Sequence, residues 1–376
     1  MTSTILNMLA VGDIIPGPNA EASFELVTPM LKEGDIVVGQ LEVPHTDKDF
    51  KTLSLGSKPI ATGNSTKNLF PLISANFTVL TLAGNHILDA GIAGIEDTIA
   101  WIKNHNIDCV GAGMNIDEAR SPVVVEREGT RFGFLDYNCV GPKETWANVN
   151  KPGCAYIDII THYEGTYACP GGPPIVYTWA ETNSLQAMIA DITKLRPLCD
   201  ILIVTFHKGI GHTPARLAAY EHQVSYAAID AGADIILGHH AHILKGIELY
   251  KGKPIFHGLC NFVTYAPILA LGNSQDPDSW ARKRIDLYGF EPDPEYPTYP
   301  FHPEAKYTII AKCLIENKRL AQTSFIPCLI NKQGQPEILK RDNRGQEVFN
   351  YMERITQKAR LNAKFQWAGE EIVIST

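Results

Sequence analysis

An α/β fold built as one large domain is what this sequence predicts, and three observations carry the prediction. Short apolar, β-branched runs alternate with amphipathic stretches through the first two thirds of the chain. The runs are apolar throughout, as in strands covered on both faces. Residues able to bind a ligand recur directly after them, where the open crevice of an α/β sheet lies. With 376 residues, 45% of them hydrophobic, the chain has enough apolar material for a substantial core.

In chain order, Ile5–Val11, Asp35–Leu41, Phe77–Leu82, Ile107–Val110, Ile201–Phe206 and Asp234–Leu237 read as buried strands. Ala22–Lys32, Thr66–Ala75, Ile92–Asn104, Leu185–Leu195 and Ala215–Ala231 carry helical spacing between them. Thr213 and Pro214 are placed to start the last of these, and Gly232 to stop it. Pro122–Tyr137 is a hairpin turning at Glu128-Gly129, and Gly246–Phe256 repeats the device at Lys251-Gly252. Tyr307–Ile330 adds two strand-like runs, and Gln346–Leu361 a final helix. The expected division is a main domain over 1–330, with inserted loops at 141–182 and 264–303, and an extension over 331–376 packing on that domain. Loops of this length are commonly functional, and Trp146, Tyr156, Tyr163, Tyr167, Tyr177 and Trp179 are candidates for the wall of a substrate pocket.

Composition excludes several classes. A net charge of −8 argues against a duplex nucleic-acid binder. No uncharged apolar run reaches the roughly 18 residues of a transmembrane helix, and the first residues lack a basic segment and a cleavage pattern. The eight cysteines are scattered without a C-x-x-C, as free buried thiols are. A cytoplasmic globular protein is the expectation.

Five of the six strand-like runs deliver polar ligands at their carboxyl ends. They are Gly12-Asp13, Gln40-Leu41-Glu42, Gly84-Asn85-His86, His207-Lys208-Gly209 and Gly238-His239-His240-Ala241-His242. Each alone is ordinary, since an aspartate after a strand is usually a cap and a buried histidine is usually structural. Together on one rim they would carry repulsion and desolvation costs that a divalent cation relieves. His240 and His242 would share a side if extended. Mixed oxygen and nitrogen donors without cysteine suit Mn²⁺, Fe²⁺ or Zn²⁺.

In this order the motifs resemble the poly-γ-glutamate capsule-synthesis (CapA-type) proteins, a branch of the calcineurin-like metallophosphoesterases, from about Met8 to Phe262. Leu88-Asp89-Ala90-Gly91 and Leu259-Cys260-Asn261-Phe262 share the family's character. The resemblance implies an αββα four-layer sandwich with a dinuclear metal site at the strand ends. Asp13 would bind the first ion and Asn85 the second, with Glu42 bridging. His207 and His240 would complete the second site and His242 the first. His86 would be the catalytic histidine. His239 is the alternative to His240 as ligand and otherwise a substrate-binding residue, as is Lys208 through a positive charge at the rim. The usual Asp-x-His is Asp13-Ile14-Ile15 here, which removes one ligand of the first ion. Gln40 replaces the family's asparagine, Lys208 its tryptophan and Cys260 its glycine.

Two ions in such a site serve hydrolysis of a phosphoester or an amide bond in a small anionic or peptide substrate by an activated water. The same electropositive site would serve an epimerase that removes a proton α to a carbonyl. A non-catalytic poly-γ-glutamate- or peptide-binding protein is the third reading.

Overall fold

The computed structural model describes residues 4–49, 64–270 and 280–376. Within them two sheets face each other. The strands are β1 (Ile5–Ile15), β2 (Ile36–Leu41), β3 (Val79–Thr81), β4 (Asp108–Val110), β5 (Val123–Arg127), β6 (Thr130–Asn138), β7 (Ile201–Lys208) and β8 (Ile235–His240). They continue as β9 (Ile247–Tyr250), β10 (Lys253–Phe256), β11 (Asn261–Thr264), β12 (Tyr307–Glu316), β13 (Arg319–Ile330), β14 (Lys364–Ala368) and β15 (Glu371–Ser375). The first sheet runs β14-β15-β13-β12-β1-β2-β3-β4, with β11 beside β1 and Pro336–Ile338 beside β13; the second runs β9-β10-β8-β7-β6-β5. β1 to β4 are parallel to one another, and so are β6, β7, β8 and β10.

Side-chain alternation builds the layers. Met8, Ala10, Ile36, Val38 and Val79 of the first sheet meet Phe132, Phe134, Ile203 and Leu237 of the second. Leu9, Val11, Val37 and Leu80 point the other way, onto Ile95 and Ile102 of helix α1 (Gly91–Asn104). Leu202, Val204 and Ile236 pack outward on Met188 and Ile192 of α2 (Thr182–Leu195) and on Val224 and Ala228 of α3 (Ala219–Ala231). Helix, sheet, sheet, helix is therefore the order of layers expected from the motifs. Helix α4 (Asn343–Lys358) contributes Val348, Tyr351, Met352 and Ile355 to the inter-sheet core.

The local departures have physical causes. Ala22–Lys32 is two short helices, Ala20–Phe24 and Thr28–Leu31, the second with Pro29 in its first turn. Thr66–Ala75 changes from a 3-10 turn to an α turn at Phe70-Pro71. Helix α3 starts at Ala219 rather than near Pro214, and the Glu221 carboxylate accepts from the Ala218 N–H at 2.8 Å. The expected loop 141–182 holds a hairpin of Ile159–Glu164 and Ile175–Ala180. Of the loop expected at 264–303, residues 271–279 lie outside the described residues.

Candidate metal centre

Each strand end reaches the crevice between the sheets by a different local device. In β1 an extra residue is inserted between Ala10 and Asp13 relative to β2. Strict alternation would send Asp13 outward with Leu9 and Val11, and the bulge turns it toward the second sheet. Gly12 permits this because a Cβ there would lie 2.1 Å from the Cys260 carbonyl oxygen. Gly238 serves β8 likewise, its absent Cβ falling 2.2 Å from the His257 carbonyl oxygen. Glu42 and His207 share the inward parity of Val38 and Ile203.

The donors form two clusters. In the first, His242 Nε2 lies 3.2 Å from Glu42 Oε1, and His242 Nδ1 lies 3.6 Å from Asp13 Oδ2. In the second, His207 Nε2 is 2.8 Å from Asn85 Oδ1 and 3.2 Å from His240 Nδ1. Asp13, Glu42 and His207 are fully buried. The structure thus brings together all six residues expected as ligands: Asp13, Glu42, Asn85, His207, His240 and His242.

His240 and His242 converge by a route other than the extended one expected. Both have left-handed backbones, with φ of 81° and 52°. Strand parity would turn His240 outward beside Lys208, and its left-handed turn swings the ring back toward His207.

Three expectations are corrected. Lys208 is no rim charge: it lies on the outward face of β7, fully buried, where its ammonium donates to the Glu221 carbonyl at 3.0 Å and to Ser225 Oγ. Burial pushes it down to about 8. His239 is not placed to touch substrate either. Its side chain is fully buried, with Nδ1 3.2 Å from Asp13 Oδ1. Nor do the loop aromatics wall one pocket. Trp146 and Tyr156 stack at 4.3 Å, whereas Tyr163, Tyr167, Tyr177 and Trp179 lie exposed on or beside the hairpin.

The electrostatics call for positive charge. Burial and the neighbouring Glu42 push the Asp13 carboxyl up. Burial opposes charge on His242, yet Glu42 and Asp13 together hold its imidazolium up to about 9. His240 is driven down to about 3 by burial and by His242. Among the described residues, Asp13 Oδ1, both Glu42 carboxylate oxygens and both His239 nitrogens are buried without a hydrogen-bond partner. Carboxylate oxygens and imidazole nitrogens crowded together without hydrogen-bond partners are a donor set that divalent cations satisfy. The residues therefore fit the metal ions that the motifs imply.

Residues given no site role from sequence complete the surroundings, beginning with Asp89 beside the expected catalytic His86. His86 Nδ1–H donates to Asp89 Oδ2 at 2.7 Å, leaving Nε2 as its free edge. Burial works against charge on His86, and Asp89 outweighs it, so its pKa is raised. His242 Nδ1–H donates to Asn261 Oδ1 at 2.8 Å, and the Asn261 amide donates to Tyr299 at 3.0 Å. His212 is half-buried, with its ring 5.8 Å from that of His242. Arg284 stacks between Phe290 and Phe301, and Phe301 packs 5.2 Å from His242.

The chain is similar to several known proteins. The chain is 31% identical over 270 residues to the PGA biosynthesis protein CapA of Bacillus subtilis, covering 69% of this chain and 63% of that protein. It is 29% identical over 271 residues to the capsule biosynthesis protein CapA of Bacillus anthracis, covering 69% and 59%. The match thus leaves more than a third of each relative unspanned. Among solved structures, a phosphatase from Mycoplasma pneumoniae superposes with a TM-score of 0.49 at 14% identity, covering 93% of this chain and 99% of that one. The calcineurin-like phosphoesterase YfkN of Bacillus subtilis gives 0.43 at 13% identity, covering 95% and 99%. Residues 7–266, which include every donor described above, match the model of the family described as bacterial capsule synthesis protein PGA_cap, and the chain belongs to that family.

Proposed function

We propose that the protein is a metal-dependent hydrolase of an anionic small molecule or peptide, cleaving a phosphoester or amide bond. One observation carries the reading: two donor clusters, with the orphaned Glu42 carboxylate among them, stand beside a histidine oriented by a buried aspartate. The proposed ligands are Asp13, His242 and His239 for one ion and Asn85, His207 and His240 for the other, with Glu42 between them. Two ions held there would supply an activated water and Lewis-acid stabilisation of charge at the attacked centre. His86, kept protonated at Nδ1 by Asp89, would present Nε2 to the leaving group and donate a proton.

The anionic character of the substrate is supported by Arg284. Its Nε and Nη1 are buried without acceptors among the described residues, while Nη2 donates to the Pro300 carbonyl at 2.6 Å. A guanidinium with two free N–H groups suits a carboxylate or phosphate. The relatives named for PGA and capsule biosynthesis support an anionic polypeptide as one such substrate.

The test is incubation of the metal-loaded protein with phosphoesters and glutamyl peptides in deuterated, oxygen-18-labelled water, followed by mass spectrometry. Hydrolysis places labelled oxygen in a cleaved product. One deuterium gained without cleavage or labelled oxygen would overturn the hydrolase reading in favour of an epimerase.

A further inference from the structure

A second group of potential ligands lies on the outer face of the second sheet, beneath α3. His222 comes from the first turn of that helix, Glu248 from β9, and His257 directly follows β10. Ile247 faces the inter-sheet core, so Glu248 faces the helix; Ile255 faces the helix, and His257 follows it by two. The three are thus separated by the sheet itself from the inward-facing His207 and His239.

Their geometry converges on one atom. Glu248 Oε2 lies 3.3 Å from His222 Nδ1 and 3.0 Å from His257 Nε2. The imidazole centroids are 5.2 Å apart, with planes inclined at 68°. Tyr226 donates its hydroxyl hydrogen to the other oxygen, Oε1, and stacks on Tyr250 at 4.0 Å, which fixes the carboxylate from behind. Ligand atoms around a tetrahedral zinc with bonds of about 2.0–2.1 Å stand roughly 3.3 Å apart, close to both separations seen here.

A hydrogen-bond network alone accounts for the group less well. His222 Nδ1 is buried and near Oε2, yet it is not aligned to donate to it and has no other partner among the described residues. His257 is fully buried, and its Nδ1 has no hydrogen-bond partner among the described residues.

We propose that His222, Glu248 and His257 bind one zinc ion that fastens α3 to the β9–β10 hairpin, independently of the centre between the sheets. The His222 side chain is 31% exposed, so water can reach a fourth coordination position.

Native mass spectrometry of the full chain, stripped with chelator and reloaded with zinc, tests the proposal. His222→Phe should bind one zinc fewer per chain than the parent, both in the wild type and in an Asp13→Ala/His240→Ala background. The difference of one is the readout, so failure of the inter-sheet centre changes the background count but leaves the difference intact. His222 lies partly at the surface, and Glu248→Gln provides a second variant that preserves the shape of the site. Equal zinc counts in parent and folded variants in both backgrounds would overturn the assignment. So would a cobalt-loaded protein whose visible absorption is unchanged by His222→Phe.

Discussion

At the residue in closest contact with both carboxylates, the orientation of the ring is set by a neighbour outside the donor set. His242 Nδ1–H donates to Asn261 Oδ1, which turns Nε2 toward Glu42, the atom an ion would take in exchange for its proton. Replacing Asn261 by alanine should lower metal affinity at the Asp13–His242 cluster by about 10–100-fold, the usual effect of losing such a partner. Isothermal titration with Mn²⁺ would read it, and unaltered affinity would remove Asn261 from the site. His86 behaves differently, because its Nδ1 faces Asp89 and no expected ligand. His86→Asn should retain both ions while turnover falls by about 10²–10⁴. Loss of an ion instead would make His86 a ligand. Six of the seven proposed ligands were expected from sequence because histidine, asparagine and acidic residues followed apolar runs, and His239 stood as the alternative to His240. The errors at Lys208 and His239 also had a signal. Counting alternation from inward His207 puts Lys208 outside, and its cross-strand neighbour His240 would follow without the left-handed turn. Nothing in the sequence marks φ at His240.

The two glycines that precede the donors are the elements' contribution to the site. At Gly12 the first sheet admits the Leu259–Cys260 backbone, and the Asp13 N–H donates to the Cys260 carbonyl at 2.9 Å. This contact joins β1 to β11 and sets Asn261 opposite Asp13. Gly12→Ala should therefore force the strands apart, destabilising the fold by roughly 1–3 kcal/mol as overpacking does. Metal affinity should fall in parallel. Calorimetric unfolding with and without metal would check this, and an unchanged melting temperature would contradict the contact. Strands were readable from β-branched runs because a strand buried on both faces has no polar alternation to blur. Helices near proline were read less well. Pro29 and Pro71 interrupt what periodicity alone joined, and Pro214 stands before α3 rather than in its first turn. The bulge in β1 left no compositional trace beyond Gly12 itself.

Across the whole molecule, acid stability is linked to histidines that fold in the neutral state, and His45 isolates the effect from both donor clusters. It sits just beyond the β2 end, fully buried, where its backbone N–H donates to Thr98 Oγ1 of α1 at 2.7 Å. Its ring Nδ1 lies 3.1 Å from the Val43 carbonyl, and Nε2 has no partner among the described residues. Burial therefore pushes its pKa down from 6.5 to about 4. The unfolded chain takes up a proton at this position below 6.5, while the folded chain does not until about 4. The His45 contribution is thus fully present above pH 6.5 and is lost as pH falls through that window. Its slope approaches about 1.4 kcal/mol per pH unit, and the total is about 3 kcal/mol. That is a sizeable part of the roughly 5–15 kcal/mol that holds a domain folded. His45→Gln removes the titration while keeping an N–H for the Val43 carbonyl. Urea unfolding of wild type and variant at pH 7 and pH 5 should show the wild type losing more stability on acidification, by an amount approaching one proton over the interval. Parallel losses in the two proteins would show that His45 is protonated, and hydrated, in the folded state.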